Sequence, residues 1–409
     1  AADKFNLSLV NFTNNNSIGN GSFAITTSGN DLLLTYTAAT TGGTKYWDIN
    51  GATAGAGGAT PDGTWSTGTA NWSFNPSGTD LTENWLDGSD GVLSAGGDAT
   101  GIYTLTISGG VAAHNITLQE GDPTITASTL TLNGALPTVS ISAGRTLTIE
   151  SEVAGTTGVG LTKTGSGTLV LTGANTYTGA TKVVAGTLSV STMANGGANS
   201  GIGASTSAAT NLILGGATFR YTGASVSSDR AFTLNAGTTA TFDITNDASD
   251  LVISGAGVAT NSSVVKTGAG TLTLSGAQVY SGATTVNQGT LRLQDQGNGW
   301  NSGITINSGA TLDTRATYGV HRLGMSETIT GAGALIKTGA GTNDLWNDTI
   351  TLSGTIDVRE GALRNNGNSS VWTGCTADMV VSNGAIFDLF ADDVYIDALD
   401  GEGTIDNGY

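Results

Sequence analysis

The side chains able to do chemistry are few and mostly of one kind. The densest group is acidic and lies towards the C-terminus: Asp388, Asp392, Asp393, Asp397, Asp400, Glu402 and Asp406. Hard oxygen ligands of this sort suit Ca2+, which makes Asp392, Asp393, Asp397 and Asp400 the candidate metal ligands. Their spacing is not diagnostic, and a solvated acidic face is the simpler reading. Paired carboxylates also serve glycosidases and polysaccharide lyases. Asp392 and Asp393 are adjacent, however, so their side chains diverge in a strand. A lyase also needs a cation facing the developing charge, and the nearest in sequence are Arg359 and Arg364. Asp48-Ile49-Asn50-Gly51 looks like the opening of a calcium loop, but Ala59 stands where position 12 requires a Glu, so a plain turn is expected. The chain has 2 His, His114 and His321, and 1 Cys, Cys375. No Ser-His-Asp or Cys-His set, HExxH or CxxC can be assembled from them. Cys375 reads as a buried core thiol. Tyr318, His321 and Arg322 read as a loop that interrupts the regular pattern, with a polar patch as the functional alternative. Trp65, Trp72, Trp85, Trp300, Trp346 and Trp372 are candidates for stacking on sugar faces, against core or cap packing.

The elements that must position these residues are strands. Gly supplies 63 of 409 residues, about twice the usual share, and only 11% are charged, under half the usual fraction. Leu, Ile and Val nevertheless recur throughout, in alternation with Thr and Ser, which argues against a disordered linker and for β structure. Helical periodicity is nearly absent, and residues 191–200, the closest approach to it, read as a loop. Gly-x-Gly-x-x-Gly strings occur, but without a following helix they cannot cradle a phosphate. The net charge of −18 repels phosphate backbones and anionic head groups, so no nucleic acid and no membrane surface is expected as partner. No apolar run approaches the roughly 18–20 residues of a membrane span.

Repeats decide the fold. KTGSGTLVLTGANTYTGATKVVAGTLSV begins at Lys163, KTGAGTLTLSGAQVYSGATTVNQGTLRL at Lys266, and a worn copy, KTGAGTNDLWNDTITLSGTIDVREGALRN, at Lys337. Looser phrases such as ISAGRTLTI at Ile141 and INSGATLDT at Ile306 fill the intervals. In Gly270–Gly276, Leu272 and Leu274 point to one face and Thr271, Thr273 and Ser275 to the other, while the flanking glycines allow tight corners. Strands this short, turned at each Gly or Asn, cannot build a wide sheet. Stacked as coils, they bury a narrow apolar column and pair with the coils above and below, which predicts an all-β parallel β-helix, or β-solenoid. With coils of about 20 residues the chain makes roughly 20 coils and a rod on the order of 95 Å. Residues 1–100 are atypical. Phe5, Leu7 and Leu9 alternate in an N-terminal strand, and Trp47, Trp65, Trp72 and Trp85 punctuate a segment of wider coils or a cap or docking segment closed by aromatic side chains. Residues 101–409 form the regular stack.

The phrase G-x-G-x-L-x-K-T-G-x-G-T-L-x-L-x-G-x-N-x-Y-x-G-x-T-x-V-x-x-G-T-L resembles the autotransporter-associated β-strand repeat. Gly158–Leu188 carry it almost whole. Gly255–Leu291 carry it with Gln278 in the place of Asn, and the third copy departs after Gly341. The resemblance implies a secreted bacterial surface protein with a β-helical passenger, and it brings no shared catalytic residues. The start at Ala1-Ala2-Asp3 fits cleavage after a small residue, and with it an extracellular or cell-surface location. The leading expectation is a non-enzymatic stalk or fibre subunit that joins head to tail with itself. In that arrangement Phe5, Leu7 and Leu9 of one chain meet the coil end around Ile405 of the next. A monomeric carbohydrate-binding adhesin that recognises surface glycans is the alternative, and a polysaccharide lyase or glycosidase comes third.

Overall fold

The computed structural model describes residues 22–28, 31–37, 42–295, 303–322, 328–346, 348–366, 371–390 and 393–407. Phe5, Leu7, Leu9, Trp300 and Asp392 lie outside them. The chain is all-β, a parallel solenoid in which each strand pairs with the corresponding strands of the coils before and after. A 13-stranded sheet runs through almost the whole stack, from Gly63–Trp65 to Thr349–Leu352. A 12-stranded sheet accompanies it as far as Thr233–Leu234. A 9-stranded sheet takes over from Val226–Ser228 to Leu399–Gly401, and a 5-stranded sheet from Val320–Arg322 to Thr404–Asp406 covers the remaining side of the last coils. Ahead of the stack, Ser22–Ser28 and Asp31–Thr37 form an antiparallel hairpin.

Alternation along each strand sends every second side chain inward, and parallel register stacks like on like. Leu272, Leu291, Leu312, Leu335, Ile356 and Met379 stand one above another in successive coils, all buried. Leu169, Leu188, Phe219 and Phe242 do the same on the long sheet. Each such side chain removed from water contributes about 2 kcal/mol, so no single coil holds itself up but the column does. The rod is shorter than coil counting suggests. Thr168 pairs with Thr187, but Thr187 pairs with Thr218 because residues 191–211 bulge out between coils. At about 4.8 Å per strand, 13 strands span about 60 Å.

The corners explain the repeat motif. Lys163 is fully buried, and its Nζ donates to the carbonyls of Thr164 (2.7 Å), Gly165 (2.7 Å) and, on the next coil, Ala185 (3.2 Å). Lys266 repeats this with Thr267, Gly268 and Gln288, and Lys337 with Thr338, Gly339 and Glu360. The glycine of each Lys-Thr-Gly has positive φ (70°, 73° and 79°), and a Cβ there would collide with a carbonyl oxygen of the preceding coil. The Tyr of the motif is buried too. Tyr177 and Tyr280 each place their hydroxyl against the Thr four residues on, at 2.7 and 3.1 Å. The three corners lie on different sides. The first lysine strand, Leu161–Thr164, belongs to the 12-stranded sheet, the second, Ser263–Thr267, to the long sheet, and the third, Ala334–Thr338, to the 9-stranded sheet.

Replacing Lys266 by Met should destabilise the protein by about 1–3 kcal/mol in urea unfolding, because buried carbonyls lose their donor. Burial lowers the three ammonium groups from 10.5 to about 8. From pH 8 upward the unfolded chain therefore holds protons that the folded chain has released, and stability should rise with pH. The trend should reverse above about pH 10. There the unfolded chain ionises its tyrosines, while burial holds the hydroxyls of Tyr103, Tyr177 and Tyr280 well above that value. Urea midpoints measured from pH 7 to 11 test both limbs.

Candidate functional site

The tryptophans of the N-terminal region form a core. Trp47, Trp65, Trp72 and Trp85 are all buried, with neighbouring ring centroids 4.5–5.2 Å apart. Trp47 Nε1 donates to the Pro61 carbonyl and Trp85 Nε1 to that of Ala112. Trp372 is buried as well, donating to Asn365 Oδ1. Of the six indoles considered for sugar stacking, Trp65, Trp72 and Trp85 have no face to offer because a wide opening coil needs their volume to fill it, and Trp372 has none because it packs into the last coils against Phe387. The region also belongs to the stack: Thr44–Trp47 pairs in parallel with Ser89–Val92, and Gly63–Trp65 with Thr104–Ile107.

The remaining candidate, Trp346, belongs to a different environment. Val320–Arg322 is a strand rather than a loop, and it opens the 5-stranded sheet. Its register aligns Arg322, Asp344, Arg364, Asp388 and Asp406 along the outer face in successive coils. Arg364 reaches Asp388 at 2.8 Å and Asp344 at 3.7 Å, and Arg322 reaches Asp344 at 3.9 Å. Arg322 also lies over the Trp346 ring, 4.0 Å from its centroid. In the turn before the strand Tyr318, 70% exposed, packs edge-on against His321, whose Nε2 donates to the Tyr318 carbonyl at 2.8 Å. On the outer side of this sheet Trp346 is half-buried beneath the Arg322 guanidinium, while Tyr318, in the turn that precedes the strand, is exposed. Similar ladders occur on the 9-stranded sheet, where Arg292 bridges Asp250 and Asp313, and on the long sheet, where Arg220 meets Asp243. Sequence reading missed these pairs. The usable signal was opposite charges at outward positions about one coil apart.

The acidic residues near the C-terminus do not gather. Asp388 and Asp406 belong to the ladder, whereas Asp393, Asp397 and Asp400 are exposed on separate stretches, Asp400 accepting from the Gly401 N–H. Among the described residues no group of three or more His, Cys, Asp or Glu is placed to hold a metal ion. Ile405 pairs with the buried Phe387 and Leu399 with the buried Met379, yet Ile405 is 42% and Leu399 55% exposed. His114 bonds Asp90 at 3.0 Å, with Asn115 as its other neighbour. Cys375 is buried, and burial raises its thiol pKa, the opposite of what a nucleophile needs.

Residues 161–190, 264–293 and 335–364 match the family model of the passenger-associated-transport-repeat. Over 289 residues, 68% of this chain, the sequence is 35% identical to the "Adhesin BmaC autotransporter" of Brucella suis. The chain is an autotransporter passenger-type repeat protein. The aligned part of this passenger-type chain spans 8% of that relative's length. No solved structure matches it. Each matched segment contains one lysine corner and the coil that closes over it, so the family pattern records a structural unit.

Core and surface aromatics should separate cleanly on substitution. Trp72→Ala should cost about 3–5 kcal/mol in urea unfolding, and Tyr318→Ala should stay within about 0.5 kcal/mol.

Proposed function

We propose that the chain is a rigid module of an extracellular, cell-surface adhesin. In this reading it is a structural stalk without enzymatic activity that makes contact through the Tyr318–Trp346 face. The name of the Brucella relative supports a surface adhesin role. The observation that carries the contact reading is the stacking of Arg322 on Trp346, on strands locked into the solenoid, with the exposed Tyr318 in the turn four residues before Arg322. Planar aromatic groups and a guanidinium, held with little entropy to lose, suit the faces and hydroxyls of surface glycans. The acidic surface disfavours nucleic acid and anionic membranes. On a glycan array, Tyr318→Ala and Trp346→Ala should abolish the binding shown by the unmodified chain while leaving its fold intact. Binding that persists in both variants would falsify this assignment.

Head-to-tail stacking is a second reading, favoured by Leu399 and Ile405, which hold core register without cover. Another copy's coil, or a following coil of a longer polypeptide, would bury them equally well. Electron microscopy of the purified chain decides between them. Filaments shortened by Ile405→Lys support self-stacking, and dispersed rods of about 60 Å remove it.

A further inference from the structure

The glycine-rich turn that follows Trp47 contains something a plain turn does not need. Asp48 is completely buried. Its Oδ1 accepts the Asn50 N–H at 3.0 Å, but its Oδ2 has no hydrogen-bond partner. Two residues on, the buried Asn50 Oδ1 is likewise without a partner. The far side of the same turn wraps around a second carboxylate. Asp98 accepts the N–H groups of Ala56 and Gly58, both at 2.7 Å. The wrapping is close enough that a Cβ on Gly55 would collide with the Asp98 carboxylate, and Gly55, Gly57 and Gly58 all have positive φ. No Lys, Arg or His among the described residues pairs with either acid. Burial, reinforced by the charge of Asp98, raises the Asp48 carboxyl to about 6, so it is mostly ionised at neutral pH.

The Gly51 N–H also lies close enough to ease the Asp48 carboxylate, yet a buried carboxylate oxygen and a buried amide oxygen that both lack a hydrogen-bond partner are costly unless something positive answers them. We propose that this turn binds a divalent cation, Ca2+, through Asp48 Oδ2 and Asn50 Oδ1, with Asp98 holding the loop closed and adding its negative charge. The donors are hard oxygens from a carboxylate and a side-chain amide, presented by an irregular, glycine-rich segment. Ca2+ accepts such mixed sets, whereas Mg2+ demands a near-octahedral cage. Asp and Asn at positions i and i+2 open the loop as in calcium-binding turns, and the Glu absent at Ala59 is replaced by no other carboxylate within the turn itself. That places the site in the weak class, with a Kd on the order of 0.1–1 mM, in keeping with extracellular calcium. Bound there, the ion would tie the turn to the strand that carries Trp47 and so brace the tryptophan core.

The test is calorimetric titration of the EDTA-stripped full chain with CaCl2, and with MgCl2 in parallel, alongside thermal unfolding in each salt. One Ca2+ site and a raised unfolding temperature are expected. Binding should be lost in Asp48→Asn, weakened in Asn50→Ala and kept when Asp393, Asp397 and Asp400 are all changed to Asn. Absence of any calcium response in the unmodified chain, an equal response to Mg2+, or calcium binding retained in Asp48→Asn would each overturn the proposal. So would loss of binding only in the C-terminal triple variant. Should Asp48→Asn fail to fold, Asn50→Ala decides, and unchanged calcium affinity in that variant overturns the proposal.

Discussion

A coil of this solenoid closes only if the carbonyls at its bends find donors away from water. At three bends the donor is a lysine ammonium, whose three N–H groups meet three carbonyl oxygens, two of the bend itself and one of the coil above. The arrangement fixes the corner and clamps adjacent coils together with one side chain. It accounts for the motif's other constraints: the glycine after Lys-Thr must have positive φ, and there is no room for a Cβ between coils. A buried charge is expensive, and burial lowers these amines, yet the same low dielectric strengthens the bonds that satisfy them.

Polar groups elsewhere follow the same rule of mutual satisfaction. Outward positions carry Thr and Ser along most of each strand, and where charges occur they stand in register with their opposites, as Arg364 does with Asp344 and Asp388. Acids outnumber bases 32 to 14, so many carboxylates are answered by backbone N–H groups instead, as Asp62 is by Thr104 and Asp122 by Thr146, while Arg220, Arg292 and Arg364 are used in ladders. Tyr318 is where aromatic surface is left uncovered, whereas Trp346 is partly roofed by Arg322.

Much of this was legible in the sequence, for a physical reason. A parallel stack imposes the same demands on every coil, so Lys163, Lys266 and Lys337, with the glycines around them, recur at fixed offsets and announce the fold. The tryptophans were harder to read, because an indole packs a core and stacks on a sugar with the same apolar face. Only burial distinguishes Trp72 from Trp346. His321 and Arg322 read as a loop because the short strand they occupy has no alternation of its own and is defined by its pairing with Thr342–Trp346. The rod is shorter than coils of about 20 residues imply because many coils are longer: Trp65 pairs with Ile107, Thr187 with Thr218, Thr124 with Thr148 and Ile304 with Ile329. The unpartnered oxygens of Asp48 and Asn50 carry no sequence signal beyond a spacing that, alone, describes a turn.

The three lysine corners occupy three different sides of the coil, one each. Sequence period and structural period are therefore out of step, and the motif works as an indexing tooth that engages wherever the preceding spacer delivers it. Lengthening or shortening a spacer by one side would leave the core intact but rotate everything downstream by about a third of a revolution. Lineages that gain or lose repeats thus have an inexpensive way to re-aim an exposed face such as that of Tyr318 around the axis without redesigning it.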